Sequence, residues 1–156
     1  MINVIIISVG KIKEKYWNDA IQEYLKRLRP YYKVAFKEIP EESISKVTDR
    51  NRILDIEGRK IVKLIPPDAY IVSLDRTGKE YTSSDWAKKL IDYSQFGRSV
   101  VFIIGGPLGL SSQVLSKSQL LFSLSKMTFT HQMARIILLE QLYRSAMIIK
   151  GKTYHY

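Results

Sequence analysis

The chain has 156 residues, of which 46% are hydrophobic and 26% charged, with 25 Lys and Arg against 15 Asp and Glu. This composition excludes a disordered chain and is sufficient for a single folded domain over residues 1–156. The absence of cysteine excludes disulfides and thiolate chemistry, and with only two histidines we expect no metal site.

The net charge of +10 predicts a polyanionic partner, RNA or DNA before an acidic membrane surface, and a merely solubilising surface charge is the alternative. At the N-terminus a short apolar run precedes the first lysines, whereas a secretory signal places its charges first. No apolar stretch is long enough to span a bilayer. We therefore expect a cytoplasmic protein with no membrane partner.

Short apolar runs alternate along the chain with segments of helical periodicity. The runs predict strands at residues 3–8, 32–39, 69–75, 99–104 and 120–125, with a turn at 76–79. The periodic segments predict helices at residues 14–28, 49–64, 82–94 and 131–149. Thr82 followed by Asp85 is a capping-box signature, and Ser111 or Ser112 can cap a short helix. The alternation indicates an α/β fold, a single domain with a mostly parallel sheet flanked by helices.

The last predicted helix carries apolar residues around nearly its whole circumference, including Met133, Ile137, Leu138, Leu142 and Met147. A helix of this kind must be buried on more than one side. In a domain of this size its own sheet covers one side, and a second subunit is the natural cover for the other. The pattern therefore predicts a homodimer rather than a monomer.

Ligands of open α/β sheets bind beyond the carboxyl ends of the strands, which here are residues 74–75, 105–110 and 125–128. Three glycines within residues 105–109 allow the backbone to approach a ligand closely. Their spacing is neither that of a dinucleotide-binding fingerprint nor that of a P-loop, and the loop follows a late strand. The alternative is a tight connection that binds nothing.

The segment 123–131 places small hydroxyl side chains and an apolar pair just before the last helix. It can offer backbone groups to a heterocycle, with Leu124 and Met127 packing against it, or it is only a loop with an N-cap at Thr130. His131 lies in the first helical turn, as is typical of a structural histidine. His155 lies in the tail, where the pattern fits a disordered end and an RNA contact equally well.

Basic residues are concentrated in two parts of the chain. In residues 121–156 five basic side chains are opposed by Glu140 alone. Two of them, Arg135 and Arg144, lie in the apolar helix, where we expect a carboxylate partner such as Glu140 or an anionic ligand. The second part, residues 26–33, interleaves charge with aromatic rings and is either an RNA contact or a solvated helix end.

Several ordered motifs together resemble the RlmH family of SPOUT-class RNA methyltransferases. They are FIIGGPLGL at residues 102–110, SLSKMTFTHQ at 123–132, LEQLYR at 139–144 and YH at 154–155, with VGKIK at 9–13 and YW at 16–17. The resemblance covers essentially the whole chain, and the ordered combination is specific although each motif alone is weak. Tyr156 stands where a charged residue is common in that family.

The resemblance implies a SPOUT-type C-terminal trefoil knot whose loops bind S-adenosyl-L-methionine, and a homodimer with cofactor sites near the subunit interface. It implies methyl transfer to N3 of pseudouridine 1915 in the 23S rRNA of assembled 70S ribosomes. The family's cofactor-binding positions correspond to Leu74, Gly105, Leu124, Ser125, Lys126, Met127, Thr128 and Phe129. The motifs also mark Arg144, Tyr154 and His155, without assigning their roles, and we take these three as the catalytic candidates.

Among these positions, His155 is our first candidate for removing the N3 proton, because histidine titrates near working pH. Arg144 can stabilise the developing anion or bind a phosphate. Two other classes of protein fit parts of the pattern. A non-catalytic RNA- or ribosome-binding factor would lack affinity for S-adenosyl-L-methionine, and a nucleotide-binding α/β enzyme, which the glycine spacing opposes, would bind nucleotide instead.

Overall fold

The computed structural model describes residues 1–43 and 49–154, which form one α/β unit. Its strands are β1 (Ile2–Val9), β2 (Tyr32–Ile39), β3 (Tyr70–Lys79), β4 (Val100–Ile104) and β5 (Leu120–Phe122). Its helices are α1 (Lys15–Leu28), α2 (Arg50–Leu64), α3 (Ser83–Tyr93), α4 (Ser112–Lys117) and α5 (His131–Ile149). The predicted order of strands and helices is therefore confirmed, and α5 has the predicted bounds.

The five strands form one sheet in the order β2-β1-β4-β3-β5, and every pairing is parallel. Helices cover both faces of a parallel sheet, so side chains on both sides of each strand are buried. This explains the nearly continuous apolar sequence of the strands. In β4, all five residues are buried. The predicted parallel sheet flanked by helices is thus confirmed, whereas the trefoil knot stays a prediction from the resemblance.

The helices lie in two layers, one on each face of the sheet. One face packs against α1, α3 and α5 through residues such as Leu28, Trp86 and Leu139. The other face packs against α2 and α4 through Ile61 and Val114. Each helix returns the chain to the start of the next parallel strand, so all strands end at the same edge, which we call the carboxyl edge.

The helix starts confirm the predicted caps. The Thr82 hydroxyl accepts a hydrogen bond from the Asp85 N–H at 3.1 Å, and Thr130 accepts from the Met133 N–H at 3.3 Å. Of the two serines proposed for the short helix, Ser111 is the cap, since its hydroxyl accepts from the Val114 N–H. These bonds satisfy backbone donors that a helix start leaves without partners.

Two predicted boundaries were wrong. Residues 76–79 form the continuation of β3 rather than a turn, because the strand pairs with β5 twice, through Leu74 and again through Lys79 opposite Phe122. The register shift between the two pairings absorbs the residues that read as a turn. In addition, β5 ends at Phe122 rather than at residue 125, since the Ser123 side chain turns to the Ser125 carbonyl at 3.0 Å.

The apolar helix α5 is buried against the sheet along one side and half-exposed along the other. Leu138, Leu139 and Leu142 are completely buried, whereas Met133 and Ile149 remain more than a third exposed. Among the described residues, no helix is long and apolar enough to cross a membrane. The half-exposed side of α5 is the one that the predicted second subunit would cover.

The close approach of β3 and β5 makes Gly78 indispensable. A Cβ atom on Gly78 would lie 2.5 Å from the backbone carbonyl of Leu121, which cannot move aside without breaking the strand pairing. We expect Gly78→Ala to lower the free energy of unfolding by about 3 kcal/mol. Gly97→Ala is the matched control, because Gly97 has nothing within 4 Å of such a Cβ and only its φ of +72° opposes the substitution. We expect it to cost about 1 kcal/mol in the same denaturant titration, and equal losses would contradict the steric argument.

Candidate functional site

The predicted ligand-binding residues lie in β3 itself and in the loops after β4 and β5, at the carboxyl edge of the sheet. These three strands are adjacent in the sheet order. Leu74, half-buried near the end of the first part of β3, packs against the core, as does Leu124 in the loop after β5. The sheet topology therefore brings the predicted cofactor-binding residues from distant parts of the chain to one edge.

The loop after β4 folds back on itself without room for side chains. The Gly109 N–H donates to the Gly106 carbonyl at 3.0 Å, and Gly109 has a φ of +83°. A Cβ atom on Gly105 would lie 2.6 Å from the Gly109 carbonyl oxygen. Glycine at 105 is therefore required by the loop's own closure, and the compact backbone leaves the adjacent edge open to a ligand.

The loop after β5 is ordered by short-range hydrogen bonds. The Ser123 N–H donates to the Lys79 carbonyl at 3.0 Å, and the Met127 N–H donates to the Ser125 hydroxyl at 3.0 Å. Lys126, Met127, Thr128 and Phe129 are exposed, with Met127 at 74%. An ordered backbone that presents exposed apolar side chains is suited to binding a partly apolar ligand.

Arg76 joins this loop to β3, a contact that the sequence did not suggest. Its Nη1 donates to the Thr128 hydroxyl at 3.4 Å. Nearby, the Asp75 carboxylate accepts from the N–H and the hydroxyl of Thr77, at 2.8 and 2.6 Å. Arg76 was overlooked because a residue in an expected turn has no pattern that marks it. Its side chain thus links the two predicted halves of the cofactor site.

A cavity of about 220 Å³ opens beside the loop after β5. The buried Trp86 forms part of its wall, and its indole Nε1 has no hydrogen-bond partner among the described residues. The Ser83 hydroxyl, also in the wall, donates to Gln141 of α5 at 2.9 Å. The remaining lining residues are Tyr81, Phe122, Ser123, Leu124 and Ile137. The cavity shares Leu124 with the predicted cofactor site.

The start of α5 is held by a buried cation. Arg135 is completely buried, and its guanidinium contacts the Glu38 carboxylate at 2.5 Å and the Gly10 carbonyl at 2.5 Å. Burial lowers the pKa of Arg135, and the Glu38 carboxylate opposes this shift. The prediction of a carboxylate partner was right, but the partner is Glu38 of β2 rather than Glu140. This pair lies on different elements, so helical spacing could not have identified it.

His131 lies against the same cluster, as expected of a structural histidine. Its Nδ1 is 3.2 Å from Arg135 Nη2, and since arginine can only donate, Nδ1 accepts. Burial lowers the pKa of His131, and the Arg135 charge adds to the effect, whereas Glu41, Glu14 and Glu38 oppose it. The neutral imidazole is thus the form that the fold selects.

The catalytic candidates Arg144 and Tyr154 lie together at the far end of α5. Arg144 pairs with Glu140 at 2.6 Å, and this carboxylate raises the pKa of the guanidinium. Its Nη1 donates to the Tyr154 carbonyl at 3.1 Å, and the guanidinium carbon lies 5.0 Å from the centre of the Tyr154 ring. Arg144 therefore fixes the tail at Tyr154. His155, the third candidate, lies outside the described residues.

The exposed residues of the loop after β5 and Arg144 lie towards opposite ends of α5. This loop leads directly into the start of α5, whereas Arg144 lies about 20 Å further along the helix axis. Leu124 lies closer to Arg144, since it lines the same cavity as Gln141, one turn before Arg144. Tyr143 and Tyr154 pack against each other near Tyr31, at the opposite edge of the sheet. The structure thus brings Arg144 and Tyr154 together, at a distance from residues 126–129. Within residues 1–43 and 49–154, no cluster of His, Asp or Glu is arranged to hold a metal ion.

The lowered pKa of His131 predicts a measurable pH dependence of stability. As the pH falls through 6.5, the unfolded chain takes up a proton that the folded chain accepts only at lower pH, so stability decreases with acidification. We expect the free energy of unfolding of His131→Gln to fall less than that of the wild type between pH 7.5 and 5.5. Proton NMR titration checks the cause directly, because His155 is the only other histidine. A His131 resonance that titrates above 6.5 would contradict it.

Comparison with known proteins gives a consistent result along the chain. Residues 2–155 match the family model described as predicted SPOUT methyltransferase. Two proteins named ribosomal RNA large subunit methyltransferase H, from Moorella thermoacetica and Halothermothrix orenii, are each 46% identical to this chain. The matches cover 99% of both chains in the first case, and 96% of this chain and 97% of the relative in the second.

A third protein of the same name, from Listeria monocytogenes, is 42% identical over 98% of this chain and 99% of its own length. Relatives at this identity and coverage share a fold, and the parallel sheet with its glycine loop after β4 agrees with the family match. The resemblance seen in the sequence motifs is thereby confirmed, and the chain belongs to the SPOUT methyltransferases, within the family of ribosomal RNA large subunit methyltransferase H.

Proposed function

We propose that the protein transfers the methyl group of S-adenosyl-L-methionine to N3 of pseudouridine 1915 in 23S rRNA, acting on assembled 70S ribosomes in the cytoplasm. The single observation that carries the proposal is the group of loops at the carboxyl edge, with Leu74, Gly105 and residues 124–129 side by side. The names of the relatives, which specify large-subunit ribosomal RNA, support the substrate class.

The residues at the carboxyl edge fit S-adenosyl-L-methionine. The exposed Met127 and Phe129 and the half-buried Leu74 and Leu124 provide apolar surface for an adenosine, and the ordered loop backbone provides donors and acceptors. Closure of the loop at Gly105 lets backbone approach closely where a side chain would block it. This cofactor supplies an electrophilic methyl group, so the protein's tasks are to align it with the nucleophile and to manage one proton.

N3 of pseudouridine becomes nucleophilic only as its proton leaves, which requires a base or a group that stabilises the developing anion. Arg144 is suited to the second task. Glu140 holds its Nε and Nη2, and two of its five N–H groups have no partner among the described residues. These donors can bind an anionic base edge or a phosphate. His155, which directly follows Tyr154, remains our candidate for the base.

We further propose a homodimer in which each active site takes its cofactor loops from one subunit and its tail from the other. The separation of about 20 Å between the start of α5 and Arg144 supports this, because the exposed residues 126–129 and the tail lie towards opposite ends of the helix. Exposed apolar side chains at Met127, Phe129 and Met133, next to the cofactor loops, are consistent with a subunit contact there.

Methyl transfer to ribosomes tests the proposed reaction. Ribosomes from a strain that lacks the modification would be incubated with labelled S-adenosyl-L-methionine, with free subunits in parallel, and the product nucleoside identified by mass spectrometry. We expect label on N3 of pseudouridine, most strongly with assembled ribosomes. Tight cofactor binding in calorimetry without transfer to either substrate would contradict the proposed substrate but not the cofactor.

Mixing two inactive variants tests the composite site. Gly105→Val should abolish cofactor binding, because its side chain meets the Gly109 carbonyl, and Arg144→Ala should abolish turnover while leaving cofactor binding intact. If sites are shared between subunits, co-refolded heterodimers contain one intact site, and we expect about a quarter of wild-type activity from an equal mixture. The control is an equal mixture of wild type with the double variant Gly105→Val/Arg144→Ala, in which shared sites leave about a quarter of wild-type activity and sites within one chain leave about half. Activity no higher than in the separate variants would show that each site belongs to one chain.

A further inference from the structure

Two basic segments that are far apart in the sequence meet on one surface. Lys152 in the tail donates to the Tyr31 hydroxyl at 3.1 Å, and its Nζ lies 5.6 Å from the centre of the Tyr31 ring. Tyr31 in turn lies 6.5 Å from Tyr143 of α5, measured between ring centres. The end of α1, the turn before β2 and the tail therefore form one continuous surface. We call it the basic edge, and it comprises Lys26, Arg27, Arg29, Tyr31, Tyr143, Arg144, Lys150, Lys152 and Tyr154.

The positive charge of the basic edge is largely unneutralised. Its two acidic neighbours already form ion pairs, Glu23 with Arg27 at 2.7 Å and Glu140 with Arg144 at 2.6 Å. The remaining cations are exposed and form no ion pair among residues 1–43 and 49–154, namely Lys26, Arg29, Lys150 and Lys152. Four unpaired cations on one surface create a field that attracts a polyanion.

Aromatic rings alternate with these charges. The Arg27 guanidinium lies 5.9 Å from the centre of the Tyr143 ring, and the Tyr143 and Tyr154 rings meet edge to face at 4.9 Å. Rings that are half-exposed beside guanidinium planes are typical of surfaces that bind unpaired nucleotides, where bases stack and cations contact phosphates. A membrane surface would instead be met by a continuous apolar face, which this edge lacks.

We propose that the basic edge binds the phosphates of the RNA that flanks the target nucleotide. The inference rests on the proposed function and adds the surface through which the enzyme holds its substrate. Arg144 and Tyr154 belong both to this edge and to the catalytic candidates. An RNA strand bound along Lys26, Arg29 and Lys150 is therefore led directly to the residues proposed to act on its base.

The test compares two triple variants that remove the same charge. Lys26→Gln/Arg29→Gln/Lys150→Gln neutralises most of the basic edge without touching Arg144 or Lys152–Tyr154. Arg59→Gln/Lys63→Gln/Lys117→Gln removes one arginine and two lysines from exposed positions on α2 and α4, the opposite face of the sheet. Binding to 70S ribosomes that lack the modification would be measured over a range of salt concentrations, together with kcat, KM for ribosomes and calorimetric affinity for S-adenosyl-L-methionine.

We expect the basic-edge variant to raise KM for ribosomes on the order of tenfold, with kcat within about twofold of wild type and unchanged cofactor affinity. The slope of log affinity against log salt should fall by about two to three, since each lost phosphate contact removes roughly 0.7–0.9. The α2/α4 variant should behave like the wild type. Lys26→Arg/Arg29→Lys/Lys150→Arg retains the charge and should retain the affinity.

The possible outcomes separate the surface from the reaction. Equal weakening by both triple variants, wild-type binding by the basic-edge variant, or loss of affinity in the charge-retaining variant would each overturn the inference. Binding of the wild type that depends on the basic edge, without any methyl transfer to the ribosomes, would support the surface and overturn the proposed reaction. Thermal unfolding of all variants confirms that the exposed substitutions leave the fold intact.

Discussion

Burial of α5 is the constraint on which the rest of the structure depends. Leu138, Leu139 and Leu142 are completely enclosed between the sheet and the neighbouring helices, and each contributes roughly 1.5–3 kcal/mol through removal from water. The helix cannot slide without exposing them. Its start is therefore fixed beside the loop after β5, and its end is fixed beside α1. One rigid helix thus sets both the position of the loop after β5, which carries predicted cofactor-binding residues, and the position of Arg144.

The buried Arg135 makes this placement more specific. A cation without exposure is costly unless charged and polar partners surround it, and here Glu38 and the Gly10 carbonyl do so. These partners belong to the ends of β1 and β2, so the first turns of α5 are tied to the carboxyl edge. Burial and the Arg135 charge lower the pKa of His131, which directly follows Thr130 at the end of the loop after β5. The polar cluster thereby anchors one end of a loop whose middle remains exposed.

Much of this was predictable from the sequence, because it depends on local patterns. Apolar runs predicted the strands, and the helical periodicity of apolar residues predicted the long helices. Hydroxyl side chains just before these helices identified the caps at Thr82 and Thr130. The features that sequence could not supply are those set by contacts between distant elements. Glu38 gives no sign that it faces Arg135, and Arg76 lies in a segment that reads as a turn because the second pairing with β5 has no local signature. The distance between Arg144 and the exposed residues of the loop after β5 likewise cannot be predicted without knowing the direction in which α5 runs.

That direction gives a physical reason for dimerisation beyond the covering of apolar surface. In a parallel α/β sheet the ligand loops gather at the carboxyl edge, and a helix that follows the last strand must end near the opposite edge. In the proposed enzyme, one copy binds the cofactor near the start of α5 and RNA near the end of that helix. A second copy with its basic edge against the first copy's loop after β5 would bring RNA and cofactor together twice in a symmetric pair. The proposed dimer therefore serves the chemistry, and the half-exposed side of α5 is a surface available to form it.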